Sequence, residues 1–285
     1  MKTRAHRLFR VSWWICNLLL ATTLVATIYG AAWEYSVRKY LEGFSDAVVP
    51  NSIPNEDKIN YILNWMGHGP ARIVAQDPSV LSTRDPQTTL NYKQLLAVCG
   101  SATNAFINLA RSSDLETRRL LLLGPDNQVK HVVAEVLLDH RWIVIDPAFR
   151  IILKDKQGRP LTRKELQDPA LLQQATHDIS HYLPEYNYQN VAHVRVARLP
   201  LIGLTIKRVL DRIWPDWGET VDWTLLLERK SFFLLFISFC GGVFFLLLRL
   251  LLAWYADSRI RVPRFRLWAQ LQRAGSALFF TPEIK

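Results

Sequence analysis

The chain has 285 residues, 49% of them hydrophobic, and a formal net charge of +10 at pH 7. This length allows one sizeable core and additional segments. Residues 1–10 carry four cations, and residues 257–285 carry six cations and two acids, so the two termini hold most of the net charge. A nucleic-acid footprint would cluster on the folded domain instead, and the distribution therefore argues against nucleic-acid binding.

Two long apolar stretches lie near the ends of the chain. Residues 11–33 contain no charge, and residues 231–256 contain only Arg249. As helices, both can cross a hydrocarbon core of roughly 30 Å. The first exceeds the roughly 7–15 apolar residues of a signal peptide. We interpret both as transmembrane helices; the alternatives are a cleaved signal for the first and a buried core helix for either.

The cations beside these stretches predict their orientation. Four cations precede the first stretch, and five arginines follow the second. Positively charged flanks stay on the cytoplasmic side of a membrane. The sequence thus predicts a multi-pass protein of the cytoplasmic (inner) membrane, with both termini in the cytoplasm and residues 34–230 periplasmic or extracellular.

The pattern along the chain predicts seven segments. They are a cytoplasmic tail (1–10), a transmembrane helix (11–33), a helical membrane-proximal segment (34–69), a folded domain (70–200), an amphipathic pre-membrane segment (201–230), a second transmembrane helix (231–256) and a basic cytoplasmic tail (257–285). The amphipathic segment contains Lys207, Arg208, Arg212, Trp214 and Trp217. It either lies on the outer membrane surface or packs against the domain.

The external part mixes helical and strand patterns. Helices are predicted at residues 34–48, 55–66, 92–110 (with one interruption) and 163–174 (in two pieces because of Pro169), strands at 118–123, 129–138, 141–145 and 191–197, and a proline-containing loop at 69–90.

Cys99 is the only cysteine between the two apolar stretches. Without a disulfide partner there, its thiol is either buried and inert or reactive. Cys99-Gly100-Ser101 opens an amphipathic helical pattern. The positive end of a helix dipole lowers the pKa of a thiol and favours the nucleophilic thiolate, so this position suits a catalytic cysteine.

A predicted hairpin brings a histidine and an aspartate together. If Asp139-His140 is a two-residue turn, Leu138 pairs with Arg141, and His131 and Asp146 become diagonal neighbours on one sheet face, roughly 7–8 Å apart. We expect a hydrogen bond between them. The opposite face then carries only apolar residues, at positions 132, 134, 136, 138, 143 and 145, and forms the core.

These three residues have the logic of a thiol triad. Cys99 would attack, His131 would carry the proton, and Asp146 would orient and stabilise the imidazolium. The alternatives are a buried structural cysteine and a histidine without a chemical role.

The segment 94–149 contains a series of short motifs in a fixed order: Cys99-Gly100, Leu109-Ala110, Arg118-Arg119, His131, Glu135-Val136, Leu138-Asp139, Trp142 and Asp146-Pro147. In these motifs the segment resembles the transglutaminase-like superfamily. It implies a papain-like α+β core, in which the helix with the cysteine packs on an antiparallel sheet with the histidine and aspartate. It also implies acyl transfer at amides. Val98 and His140 depart from the family pattern, which usually has a small or polar residue and a glycine there.

The remaining expectations concern the surroundings of the triad. The Cys99 N–H and the Gln94 side chain are candidate oxyanion donors, and Glu135 and Trp142 are expected to shape the site. His177 and His181 lack an evident third ligand, so we expect no metal and no cofactor. The expected substrate is an amide of a protein, peptide or peptidoglycan stem, and the oligomeric state is undetermined. The rival interpretation is a non-catalytic binding or assembly module in envelope or exopolysaccharide biogenesis.

Overall fold

The structure is a computed structural model that describes residues 2–50, 52–69, 85–91, 93–194, 203–215 and 229–260, together with Trp217 and Leu226. It divides into two compact units, one formed by residues 1–30 and 234–285 and the other by residues 31–233.

The described residues form both helices and strands. The helices are α1 (Lys2–Val48), α2 (Asn55–Gly67), α3 (Pro86–Asn91), α4 (Cys99–Ser112), α5 (Pro169–Thr176), α6 (Gly203–Ile213) and α7 (Lys230–Tyr255). The strands are β1 (Thr117–Leu123), β2 (Val129–Leu138), β3 (Arg141–Asp146), β4 (Ile151–Ile152) and β5 (Val191–Ala192). Short 3₁₀ helices cover Lys93–Ala97 and Glu165–Gln167, and a π-helical turn covers Ala256–Ile260.

The five strands form one antiparallel sheet in the order β4-β3-β2-β1-β5. With the helices packed on it, the domain is α+β, as the sequence predicts. The first core cluster lies between the sheet and helices α2 and α4, where Phe106 and Leu109 of α4 meet Ala134, Val136 and Ile145. Burial of this apolar surface is the main stabilising contribution to the domain.

The other face of the sheet is also buried, which the sequence did not predict. Val133 and Val144 lie there in a second core cluster with Leu161, Tyr186 and Tyr188. The residues after β4 supply this cover through the 3₁₀ helix Glu165–Gln167, α5 and the segment that follows. The face of the sheet that carries His131 is therefore shielded from solvent.

The helix predicted at 163–174 forms the expected two pieces, the 3₁₀ helix Glu165–Gln167 and α5. Since α5 ends at Thr176, His177 and His181 do not share a helix face.

Two of the predicted elements need correction. The predicted loop at 69–90 includes the start of α3, because Pro86 suits a first helical turn and Asp85 accepts a hydrogen bond from the Gln87 N–H. Residues 70–84 lie outside the described residues. The last strand covers only Val191–Ala192, and residues 195–200 also lie outside the described residues.

In the first unit, α1 and α7 pack as antiparallel helices. Gly30 faces Leu235, Thr23 lies against Gly241, and the Cys16 thiol donates to the Phe245 carbonyl at 3.4 Å. Glycine allows this close approach, since a Cβ on Gly30 would lie 3.0 Å from the Leu235 Cα. Both helices are long and apolar enough to cross a membrane.

In the second unit, a set of buried polar residues, here called the Arg229 cluster, contacts α4. It consists of Glu34, Asn108, Arg229 and Ser231, which are 2–5% exposed. Arg229 donates to Glu34 at 2.8 Å through Nη1 and to the Asn108 Oδ1 at 3.1 Å through Nε. The Ser231 hydroxyl donates to the other Glu34 oxygen at 2.8 Å. The cluster joins residues of α1 and α7 to the helix that begins with Cys99.

Candidate active site

Cys99 stands at the first position of α4. A 3₁₀ helix precedes it, and Val98 is extended (φ −99°, ψ 128°), so the backbone turns into the helix at the cysteine itself. The first N–H groups of a helix have no partner within the helix and give its N-terminus a partial positive charge. The half-buried Cys99 therefore occupies the position that the sequence predicted for it.

The β2–β3 hairpin has the predicted register. Leu138 pairs with Arg141 and Ala134 with Ile145. Asp139 and His140 form the two-residue turn with φ of 46° and 62°. Two consecutive positive φ values are typical of the type I′ turn that suits the twist of a hairpin, which explains why glycine is common there and why His140 is unusual.

The register brings His131 and Asp146 together. The His131 Nε2 donates to the Asp146 Oδ2 at 2.7 Å, and both side chains are fully buried. The other carboxylate oxygen accepts the backbone N–H groups of Ala148 at 3.1 Å and Phe149 at 3.4 Å, in the turn that follows β3. The expected hydrogen bond is confirmed, and Asp146 is held at both oxygens.

His131 has a second buried nitrogen, Nδ1, and Cys99 also acts on this imidazole. Burial lowers the pKa of the imidazole, but the charge and hydrogen bond of Asp146, followed by those of Cys99, outweigh it and raise the pKa to about 9. The three residues therefore form one electrostatic group, in which the protonated form of His131 is stabilised.

Two hydrogen bonds hold the cysteine helix against the strands. Thr103, one turn after Cys99, donates its hydroxyl to the Val132 carbonyl at 2.9 Å. Arg119 on β1 donates to the Gly100 carbonyl at 3.2 Å. These bonds place the start of α4 beside the residue next to His131. The sequence analysis missed both, although the alternation of β1 indicates that Arg119 points to the opposite face from Arg118.

Aromatic rings surround His131. Tyr186 stacks on its imidazole with 4.4 Å between centroids, and Phe149 and Tyr182 approach edge-on at 5.9 and 6.3 Å. The sequence analysis missed this aromatic cover too; the only local signal was the density of tyrosines at 182–188. The rings exclude water from the His131–Asp146 pair, which strengthens the electrostatic interaction between the two groups.

A cleft of about 410 Å³ lies beside the same tyrosines. Tyr182 and Tyr186 contribute to its wall together with Leu172, Gln173 and Asn187, and its lining contains no charged side chain among the described residues. Its chemistry suits a neutral group that accepts and donates hydrogen bonds.

Glu135 and Trp142, predicted to shape the site, belong to a group with Arg118 and His193. The Arg118 guanidinium lies 4.0 Å from the centre of the Trp142 ring and donates to Glu135 at 2.7 Å. The His193 Nε2 lies 3.6 Å from the same carboxylate, and its Nδ1 lies 2.7 Å from the Arg119 carbonyl. Burial lowers the pKa of His193. The positive charge of Arg118 thus balances the negative charge of the buried Glu135 carboxylate.

Gln94 lies in the 3₁₀ helix before α4 and is exposed. Its role as an oxyanion donor stays a prediction. His177 lies just beyond α5, and its Nδ1 is 2.9 Å from the Asp178 carboxylate.

The fold and the site define an α+β domain in which a cysteine at a helix N-terminus meets a buried histidine–aspartate pair. Residues 42–147 match the Transglutaminase-like superfamily, so the chain contains a transglutaminase-like domain. The match begins within α1, includes α2, and ends just after β3, so it covers Cys99, His131 and Asp146. No curated protein and no solved structure matches the chain.

Proposed function

We propose that this protein is a membrane-anchored thiol enzyme that acts on amide bonds through a thioester on Cys99. The observation that carries the proposal is the 2.7 Å hydrogen bond between His131 and Asp146, together with Cys99 at the first position of α4 and its contribution to the raised pKa of the same imidazole. The superfamily, which generally contains cysteine enzymes, supports the same conclusion.

The geometry suits a two-step reaction. The Cys99 thiol gives its proton to the His131 Nδ1, and the thiolate forms a bond to the amide carbonyl carbon. The Cys99 N–H, with Gln94 as the proposed second donor, stabilises the oxyanion. Collapse of the intermediate breaks the C–N bond, and His131 returns the proton to the departing amine. The thioester then reacts with water or an amine, whose proton passes to His131 and back to the thiolate.

Asp146 and the aromatic cover make this cycle possible by stabilising the imidazolium. Asp146 holds His131 in the tautomer that leaves Nδ1 available for the thiol proton. The raised pKa of His131 favours a thiolate–imidazolium pair over a neutral thiol at neutral pH. The neutral cleft beside Tyr182 and Tyr186 favours an uncharged segment of a protein, peptide or peptidoglycan-type substrate.

The domain is proposed to face the outside of the cytoplasmic membrane. The antiparallel packing of α1 and α7 supports termini on one side, and the cation distribution assigns that side to the cytoplasm. Reporter fusions after Lys285 and within the 154–159 turn should report opposite sides. A result that places both reporters on one side would refute this topology.

The decisive experiment is the trapping of a covalent adduct. Membranes that contain the full chain are treated with an acyl-type thiol probe, and the modified peptide is identified by mass spectrometry. We expect an adduct on Cys99, which Cys99→Ser abolishes and Cys240→Ser does not. If the protein is folded and Cys99 still takes no adduct, the result would favour the rival function. That function is a binding or assembly module that binds a partner without catalysing a reaction.

A further inference from the structure

Helix α6 presents an apolar face that the domain does not cover. Val209 and Ile213, one turn apart, are 49% and 76% exposed, and Trp214 directly after the helix is 46% exposed. Arg208 and Arg212, also one turn apart, form a separate exposed face. The helix is thus amphipathic, but its apolar side points to solvent in the described structure.

The exposure of Val209 and Ile213 favours the membrane-surface interpretation of this segment. Packing of this face against the domain would bury both side chains. The segment is nevertheless ordered on its other side, because Trp217 is 5% exposed and its indole N–H donates to the Asp211 carboxylate at 2.9 Å. The apolar face of α6 is therefore exposed, although a hydrogen bond fixes the chain just after the helix to Asp211.

We propose that α6 lies flat on the surface of an anionic phospholipid bilayer, with Val209, Ile213 and Trp214 in the acyl boundary. Arg208 and Arg212 would lie at the level of the lipid phosphates, where arginine donates to phosphate oxygens. The inference rests on the membrane anchoring of the proposed function. It adds a second, peripheral attachment that orients the catalytic domain.

The position of α6 in the chain argues for a bilayer as its occupant. Only residues 214–229 separate it from α7, one of the two helices among the described residues that are long and apolar enough to cross a membrane. Sixteen residues reach at most roughly 55 Å, so α6 stays close to any membrane that α7 crosses. Exposed arginines beside an apolar face complement a surface of phosphate groups with hydrocarbon beneath.

Spin labels on the full chain in nanodiscs of phosphatidylcholine and phosphatidylglycerol test this inference. Single cysteines replace Val209 and Ile213 on the apolar face and, as matched controls, Arg208 and Arg212, in a chain that lacks the three native cysteines. Leu24→Cys, on the exposed side of α1, reports whether the anchor itself is in lipid. The measurement is the ratio of accessibility to oxygen, which concentrates in lipid, and to a water-soluble nickel chelate.

We expect this ratio to be several-fold higher at positions 209 and 213 than at 208 and 212, and highest at 24. Equal, water-like ratios at all four α6 positions, together with a lipid-like ratio at position 24, would overturn the inference. In that case α1 would still be in lipid, so the proposed anchoring would stand. Exclusion of both relaxants at 209 and 213, or dipolar broadening between labels, would overturn it in favour of a protein partner or a second copy. A water-like ratio at 24 would refute the anchoring and this inference together.

Discussion

The transglutaminase-like unit buries two charged pairs that contact opposite ends of the same helix. His131 and Asp146 lie beside the first residue of α4, and Glu34 and Arg229 lie beside Asn108 in its last turns. The His131 pair contains a side chain that can release its proton, with a pKa raised to about 9, whereas an arginine remains charged. The difference teaches that burial alone does not mark an active site: the His131 pair lies beside Cys99, the proposed nucleophile, whereas the Arg229 cluster contacts an amide, a hydroxyl and the exposed Arg38.

The largest expected effect concerns the reactivity of Cys99 in the His131 pair. Iodoacetamide labelling of Cys99 at pH 6 should be fast in the wild type and slow by about 10²-fold or more in His131→Ala, because the thiolate loses its imidazolium and its base. Asp146→Asn should slow it less. Cys16 and Cys240 should stay unlabelled in membranes. The control is His140→Ala, which removes an exposed histidine of the hairpin turn. Equal rates in wild type and His131→Ala would end the triad hypothesis.

The Arg229 cluster should control stability instead. Arg229→Met removes the buried cation beside Glu34, leaves that carboxylate only Ser231 and the exposed Arg38, and should lower the free energy of unfolding by up to about 3–5 kcal/mol. Arg38→Ala, which removes the exposed partner of the same carboxylate, should cost less than about 1 kcal/mol. Thermal unfolding in nanodiscs would measure both.

The double variant Glu34→Leu/Arg229→Met completes this test. Since it removes both charges, it should recover much of the stability that Arg229→Met loses. The Arg229 cluster should not affect the reactivity of Cys99. If Arg229→Met changed the pH profile of Cys99 labelling in protein that is still folded, the assignment of reactivity to one pair and stability to the other would be wrong.

The two pairs should also differ in how stability depends on pH. The pKa of His131 is raised to about 9 from its usual 6.5, so the folded protein binds the proton more tightly than the unfolded chain. This stabilisation is complete below about pH 6.5 and is lost as the pH rises through about 9. It amounts to a loss on the order of 3 kcal/mol over that window. Denaturant unfolding from pH 6 to 9.5 should show the decline in the wild type and in Arg38→Ala. A decline of the same size in His131→Gln would contradict the assignment.

The smallest expected effect tests how α4 aligns the nucleophile. Thr103→Val keeps the shape of the side chain but removes the hydrogen bond to the Val132 carbonyl, at a cost of about 1 kcal/mol in stability. Because this bond lies one turn from Cys99 and one residue from His131, labelling of Cys99 should also slow a few-fold. Thr176→Val, which removes a hydroxyl bond within α5, is the matched control and should leave the labelling rate unchanged. If Thr103→Val left the labelling rate of Cys99 unchanged, the Thr103–Val132 hydrogen bond would contribute to stability but not to the alignment of Cys99.

The elements closest to the site were the most predictable. The strand period of two and a two-residue turn were enough to predict that His131 and Asp146 share a face, and the register confirms it. The start of α4 at Cys99 was likewise predicted, within the interrupted helical pattern over 92–110. The cover of the second sheet face was not predictable, since the helical pattern at 163–174 does not indicate which face of the sheet it packs on. The short α3 was missed because prolines dominate the pattern around it.

Local periodicity by itself determined the hairpin register, the cysteine at the helix start and the two apolar helices, because each depends on neighbours within a few residues. The α+β class followed from the resemblance of the sequence to a known family. Tertiary structure alone decided the surroundings that give these residues their properties. Tyr186 stacks on His131, Arg119 reaches Gly100, and Arg229 meets Glu34 across 195 positions of sequence. Such contacts leave no periodic signal, since their partners are distant in sequence and are brought together only when the domain folds.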